Sequence, residues 1–306
     1  MSRSLLAPVA ILSIVALIAL LWAWGKWHRT RFERRVSNRL PTGPHGIIPG
    51  AEPLTLTAPG APMGVVLLHG FGDTPQTLAS LANRLREDGF DVDVPLLPGH
   101  GRTLSEFASS HGGEWLAAAR AAHASMRARH SRVALVGLSL GGALAATVAA
   151  DDPELAALVL LAPYVDTPPV LRMLLRAAPV IGVVLPYVGG DGAQSILDPE
   201  ARAEALAYGA TTPQLVRELV RAADAARASL PRVKAATLYV QSREDNRITE
   251  AVAQRAFAML GAREKQLEML SGCGHVLTVD FCRERVATLV SEWLTRAASG
   301  SKTGTA

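Results

Sequence analysis

The chain has 306 residues, 49% of them hydrophobic, with two cysteines and a formal net charge of +4. That length supports one large domain, or two small ones, around a substantial buried core. Residues 1–40 carry seven Lys/Arg against the single acid Glu33, whereas residues 41–306 carry 24 Lys/Arg against 26 Asp/Glu, so the body lacks the basic surplus of a nucleic-acid-binding domain.

The first element is an apolar run from Leu5 to Trp24, twenty residues without a charge, interrupted only by Pro8 and Ser13. A helix of that length spans roughly 30 Å, the hydrocarbon thickness of a bilayer. Trp22, Trp24 and Trp27 gather at its end, where amphipathic rings favour the headgroup level. A cleavable signal peptide has an apolar region of about 7–15 residues and then a small-residue cleavage site. This run is longer and leads into Trp-Ala-Trp-Gly-Lys-Trp, so residues 1–29 are read as an uncleaved membrane anchor. Lys26, Arg29, Arg31, Arg34, Arg35 and Arg39 follow it and suit anionic lipid headgroups. Only Arg3 and the terminal amine precede it, and the positive-inside rule then expects Met1 outside and the body in the cytoplasm. Residues 30–51 are expected to be a linker, basic at first and then broken by Pro41, Gly43, Pro44, Gly46, Pro49 and Gly50.

From residue 52 to 298 short β-rich runs alternate with Ala/Leu-rich helical patterns. Strands are expected at Leu54–Thr57, Val65–Leu68, Val92–Val94, Val133–Val136, Ala157–Leu161, Thr237–Gln241 and Gln266–Leu270. Helices are expected near 75–88, 113–130, 139–150, 249–260 and 281–297. Continuous apolar strands separated by helices imply a mostly parallel sheet covered on both faces. One insertion, at about 163–232, breaks the alternation. Its apolar run Val170–Val188 contains Arg172 and Arg176 and is broken by Pro179, Gly182 and Pro186, which suits a cap over a cleft better than a second membrane span. A more polar helical stretch follows around 199–229, and residues 299–306 read as a disordered tail. Cys273 and Cys282 have no zinc-ligand spacing. Nine residues apart they could bridge, but two unpaired, partly buried thiols are expected.

The chemistry centres on Gly137-Leu138-Ser139-Leu140-Gly141, which follows one expected strand and opens a helix. In that setting G-x-S-x-G is a nucleophile elbow, a turn so tight that small residues must flank the serine. A serine hydroxyl needs a base. Where such an elbow is followed by an acid and then a histidine, His275 is the one histidine after Ser139 that can serve. The orienting carboxylate should follow the strand ending near Gln241, where Glu244 and Asp245 compete. Asp245 is favoured because thirty residues before His275 leave room for one helix and one strand. The backbone N–H groups of Phe71, in His69-Gly70-Phe71-Gly72, and of Leu140 are the candidate oxyanion donors. His69 and the turn Pro98-Gly99-His100-Gly101 are read as structural.

These motifs, with Arg243-Glu244-Asp245 and Gly274-His275-Val276-Leu277-Thr278-Val279-Asp280, resemble in order and spacing the bacterial carboxylesterase and monoacylglycerol-lipase branch of the α/β-hydrolases. The resemblance covers about residues 60–297. It implies the α/β-hydrolase fold with a small helical cap, a Ser139-Asp245-His275 triad, no cofactor and no metal. It also implies hydrolysis of short- to medium-chain acyl esters or monoglycerides and a small-molecule or lipid ester substrate, while the charge division above argues against a nucleic-acid partner. Leu171, Leu174, Leu175, Val183 and Val184 of the cap are expected to line the acyl pocket. A thioesterase or acyltransferase would share the acyl-enzyme, and a non-catalytic binding protein on the same fold is the remaining alternative.

Overall fold

The computed structural model describes residues 3–189 and 195–300. All seven expected strands form. In chain order they are β1 (Leu54–Leu56), β2 (Gly64–Leu68), β3 (Asp91–Val94), β4 (Val133–Leu138) and β5 (Ala157–Leu161). A small hairpin, β6 (Val188–Gly189) with β7 (Ala210–Thr211), precedes β8 (Ala236–Ser242) and β9 (Lys265–Leu270). The main sheet has the order β1-β3-β2-β4-β5-β8-β9, in which only β1 runs antiparallel to its neighbour.

The continuous apolar strands are explained by burial on both faces. Successive residues of a strand point to opposite faces, and in β2 Val65 and Leu67 join one core cluster while Val66 and Leu68 join the other. Helices α2 (Ala79–Glu87) and α11 (Arg283–Ser299) cover the first face. Helices α4 (Gly112–Arg129), α5 (Leu140–Ala149), α9 (Pro213–Ser229) and α10 (Glu250–Met259) cover the second. Every residue of α5 is buried, which its Gly and Ala content permits, because small side chains let it lie between the sheet and its neighbours α4 and α9.

The cap rises between β5 and β8. Its helices α6 (Pro169–Leu175) and α7 (Ala178–Val184) each carry a proline in the first turn, where a missing N–H breaks no helical bond. Pro179 thus starts a second short helix, and the apolar run folds as two pieces. Helix α8 (Pro199–Glu204) and the long α9, capped by Thr212 Oγ1 accepting from the Leu215 amide at 3.0 Å, complete the insertion. A short helix absent from the sequence expectations, α3 (Leu104–Ser109), is held by a reciprocal capping box between Thr103 and Glu106.

Two expectations are corrected. The N-terminal helix α1 runs unbroken from Arg3 to Arg39, so residues 30–39 are helix and not linker. Residues 30–40 contain neither Gly nor Pro, Lys, Arg and Glu are good helix formers, and Val36 and Leu40 are buried against the body. Cys273 and Cys282 are also not free thiols: they form a disulfide with Cα atoms 5.8 Å apart. The loop between them turns back sharply enough to bring the pair within bridging range. Of the expected tail, residues 301–306 lie outside the described residues, and α11 extends to Ser299.

Candidate active site

Ser139 sits between β4 and α5 with φ +53° and ψ −112°, a backbone region that side-chain-bearing residues rarely adopt. Its surroundings explain the glycine spacing. A Cβ on Gly137 would overlap the Gly141 backbone, and one on Gly141 would overlap the Leu68 carbonyl at the end of β2. The turn is tied down by its own amide, which donates to the Leu161 carbonyl at 2.9 Å. The Ser139 carbonyl accepts from the Ala143 and Tyr164 amides at 3.1 and 3.0 Å. Over-determination of this kind lets a strained residue persist.

Asp245 follows β8 and His275 follows β9, both at the same sheet edge as Ser139. The Asp245 Oδ2 lies 2.7 Å from the His275 Nδ1. Gln241 Nε2 donates to the same oxygen at 2.8 Å, and the Arg247 and Ile248 amides donate to Oδ1 at 2.7 and 2.9 Å. Burial alone would raise this carboxyl, but the hydrogen bonds from His275 and the two amides outweigh it and hold Asp245 below the usual carboxylate range. An ionised Asp245 fixes Nδ1 as the protonated nitrogen and leaves Nε2 able to accept a proton. Its rival Glu244 is exposed and accepts from the Ser242 hydroxyl and the Gly272 amide instead.

The loop after β2 closes the other side. A Cβ placed on Gly70 would lie 3.6 Å from Ser139 Cβ, so this loop passes directly against the serine. His69 is fully buried and orders it. Its Nε2 accepts from the Leu97 amide at 3.1 Å, so its Nδ1 carries the proton that faces the Gly70 carbonyl at 3.0 Å. Burial lowers the His69 pKa to about 4, keeping the ring neutral. His100, its ring centroid 5.1 Å from that of His69, is pushed well down by burial as well. Both histidines are built into the scaffold, in keeping with the structural reading of their motifs.

Ser139, His275, Phe71 and Leu138 line one cavity of about 520 Å³, a volume suited to a small organic ligand. Its walls are largely apolar, with polar groups from Asp73, Thr77, Ser195, Thr211, Asn246 and Arg247 among them. Of the five cap residues expected in the acyl pocket, Leu171 lines it. Leu174 and Val183 are more than half exposed on the outer side of the cap, and Leu175 and Val184 are half-buried outside the lining. The wall they were expected to form comes instead from β6, β7 and the segment 205–211, where polar and small residues gave no apolar pattern to read.

Asp280, the last residue of the Gly274–Asp280 motif, has a structural role beside the site that the motif alone does not name. Fully buried, its Oδ1 accepts from the Asp198 and Phe281 amides and its Oδ2 from the Leu197 and Gly274 amides, at 2.7–2.9 Å. The Ser195 carbonyl accepts from the His275 amide at 2.8 Å. The histidine loop is thereby fastened to the segment that leads into α8. The only sequence signal was the position of Asp280 five residues after His275.

The family model described as serine aminopeptidase, S33, matches residues 61–281. The chain belongs to this family. As an S33 α/β-hydrolase it stands among lipolytic enzymes and esterases. It is 28% identical over 235 residues to the thermostable monoacylglycerol lipase of Bacillus sp. (strain H-257), covering 77% of this chain and 90% of that one. It is 25% identical to the carboxylesterase of Bacillus subtilis (strain 168), covering 79% of this chain and 96% of the relative. Among solved structures, one from a study of two metagenome-derived lipolytic enzymes superposes with a TM-score of 0.75 at 29% identity, covering 82% of this chain and 99% of that one. The monoacylglycerol lipase of Paleococcus ferrophilus shares the fold at a TM-score of 0.68 and 22% identity, with 80% and 98% covered. These relatives match nearly end to end and leave about a fifth of this chain over. The family match begins only at residue 61, so α1 is additional to it.

Proposed function

We propose that this S33 hydrolase is a membrane-tethered serine esterase that cleaves carboxylic esters of short- to medium-chain or monoacylglycerol type through an acyl-enzyme. The observation that carries the reading is the Asp245–His275 pair opening into the same cavity as the strained Ser139. The Ser139 hydroxyl attacks the ester carbonyl as His275 Nε2 takes its proton, and Asp245 stabilises the imidazolium. The Phe71 and Leu140 amides receive the oxyanion, each such donor being worth about 10²- to 10³-fold in rate. The imidazolium then protonates the leaving alcohol, and a water activated by the same histidine releases the acid. The apolar walls take the acyl chain, and the two named curated relatives make this the substrate class to test first.

Helix α1, uncharged from Leu5 to Trp24, is proposed as the tether. The Lys/Arg count beside it favours a cytoplasmic catalytic domain, whereas the Cys273–Cys282 disulfide favours an oxidising compartment. The proposal adopts the second.

The mechanism is tested by replacement. Ser139→Ala and Asp245→Asn should each lower kcat by about 10⁴-fold on a p-nitrophenyl ester while leaving the fold intact, whereas Glu244→Gln should change it by less than about threefold. The wild type, and not Ser139→Ala, should be labelled by a fluorophosphonate. A folded Ser139→Ala protein with near-normal esterase activity would end the proposal, and damage from Glu244→Gln in place of Asp245→Asn would move the acid.

A further inference from the structure

Helix α1 is too long to be only a membrane span. At 37 residues it is about 55 Å in length, against roughly 30 Å of hydrocarbon. Its described apolar half, from Ile11 to Trp24, points large side chains outward, Ile11, Leu12, Ile18 and Leu20 among them. The second half is docked on the catalytic domain. Gly25 is buried against the α7 backbone so closely that a Cβ would collide with the Val183 carbonyl. The Tyr187 hydroxyl donates to Glu33 at 2.9 Å, and its ring stacks on Phe32 at 6.0 Å between centroids. Val36 and Leu40 are buried, and the Arg39 guanidinium donates to the Ala207 and Tyr208 carbonyls at 2.6 and 2.8 Å.

The contact at Gly25 fixes a height. Trp24 and Trp27 flank it, with ring centroids 5.1 Å apart, and Lys26 lies 4.2 Å over the Trp22 ring. Tryptophan and lysine at the end of an apolar helix mark the headgroup level. Helix α7 meets α1 there, and the outer side of α6 and α7 leaves Val170, Met173, Leu174 and Val180 54–72% exposed. That apolar face is therefore continuous with the membrane-spanning half of α1. The cavity is adjacent as well: Pro168 and Leu171 line it from the α6 end, and Val188 and Gly189 line it from the hairpin. The Phe32 ring packs on the same Gly189, where a Cβ would lie 3.1 Å away.

Resting on the anchoring reading above, we propose that α1 is a rigid strut that seats the outer face of α6 and α7 on the bilayer surface. The cavity thereby takes its acyl ester laterally from the membrane. Drawing an acyl chain through water is unfavourable in proportion to its length, and a cavity wall braced at the headgroup level avoids that passage. A flexible leash of the same length would hold the enzyme near the membrane without aiming it.

The test uses the full chain in nanodiscs of mixed neutral and anionic phospholipid. One variant inserts Gly-Ser-Gly-Ser between Trp24 and Gly25, keeping both the span and the docked half. A second carries Met173→Asp and Val180→Asp on the outer face of the cap. Turnover of a long-chain monoacylglycerol dissolved in the bilayer is compared with that of water-soluble p-nitrophenyl butyrate. Both variants should lose about tenfold or more in kcat/KM for the bilayer substrate and stay within twofold of wild type on the soluble one. Unchanged bilayer turnover would overturn the strut, and so would an equal loss on both substrates, which would make the contacts merely structural. Alkaline carbonate extraction separates the underlying reading: a wild-type chain released from membranes refutes the anchor, whereas an anchored chain indifferent to the insertion refutes the strut alone.

Discussion

Asp73 shares the cavity with Ser139 and His275, with Oδ2 accepting from Thr77 Oγ1 and Oδ1 from the Thr74 amide, both at 2.8 Å. Burial raises its pKa to about 6, against the opposing pull of those hydrogen bonds and of His275. The folded state therefore holds this proton to a higher pH than the unfolded chain, whose carboxyl titrates near 3.8. Raising the pH through that window favours unfolding. Between pH 5 and 8 the loss is on the order of 1 kcal/mol. Asp73→Asn keeps an acceptor for Thr74 and loses the titration, so the stability of wild type relative to the variant should fall by that amount from pH 5 to pH 8. Thermal unfolding of both proteins at the two pH values measures it, and a pH-independent difference would mean that Asp73 titrates as an ordinary carboxyl. Nothing in the sequence marks this residue, because its character comes from what surrounds it. Ser139, His275 and Asp245 could be singled out in the sequence because the roles proposed for them require a fixed chain order and a glycine-flanked turn.

At the scale of elements, the strands were legible because burial on both faces makes each a short unbroken apolar run. Helix α3 is illegible in the sequence, although Thr103 and Glu106 stand at capping-box spacing, because six residues carry too little periodicity to mark a helix. Helix α1 runs past the expected linker boundary because breakers begin only at Pro41 and the ten residues before it are free of Gly and Pro. The docking of Phe32, Glu33 and Val36 that stabilises this half of the helix is a long-range effect. The loop Cys273–Cys282 is the other element whose state depends on distant partners, since Asp280 folds it and the disulfide then closes a ten-residue ring around His275. Closing a ring of that size contributes about 2–3 kcal/mol by restricting the unfolded chain. Reductant should lower the thermal midpoint of wild type by roughly 3–6 °C, and the Cys273→Ser, Cys282→Ser double variant should start at the lower value and ignore reductant. A wild-type midpoint unmoved by reductant would mean that the loop owes its stability to Asp280 alone.

For the whole molecule, the proposed anchor raises the question of which side of the membrane the catalytic domain would occupy, and two physical indicators oppose each other. Lys26, Arg29, Arg31, Arg34 and Arg35 follow the span and only Arg3 precedes it, a bias that retains the body in the cytoplasm. The docked helix weakens that count. Arg29 lies 5.8 Å over the Tyr187 ring, so part of the charge is committed to a contact made once the body has folded. The disulfide is the stronger indicator, because cytoplasmic thiol buffers keep such pairs reduced whereas exported proteins retain them. In wild type this bridge encloses the histidine that the mechanism needs. The catalytic domain is therefore expected on the oxidising face, with the N-terminus inside. Fusions after Ala306 decide it. An export-dependent phosphatase should be active there and a cytoplasm-only fluorescent protein dark, with Cys273 and Cys282 resistant to a thiol-alkylating reagent in intact cells until reductant is added. A fluorescent fusion with a silent phosphatase would return the domain to the cytoplasm and leave the two cysteines reduced in the cell.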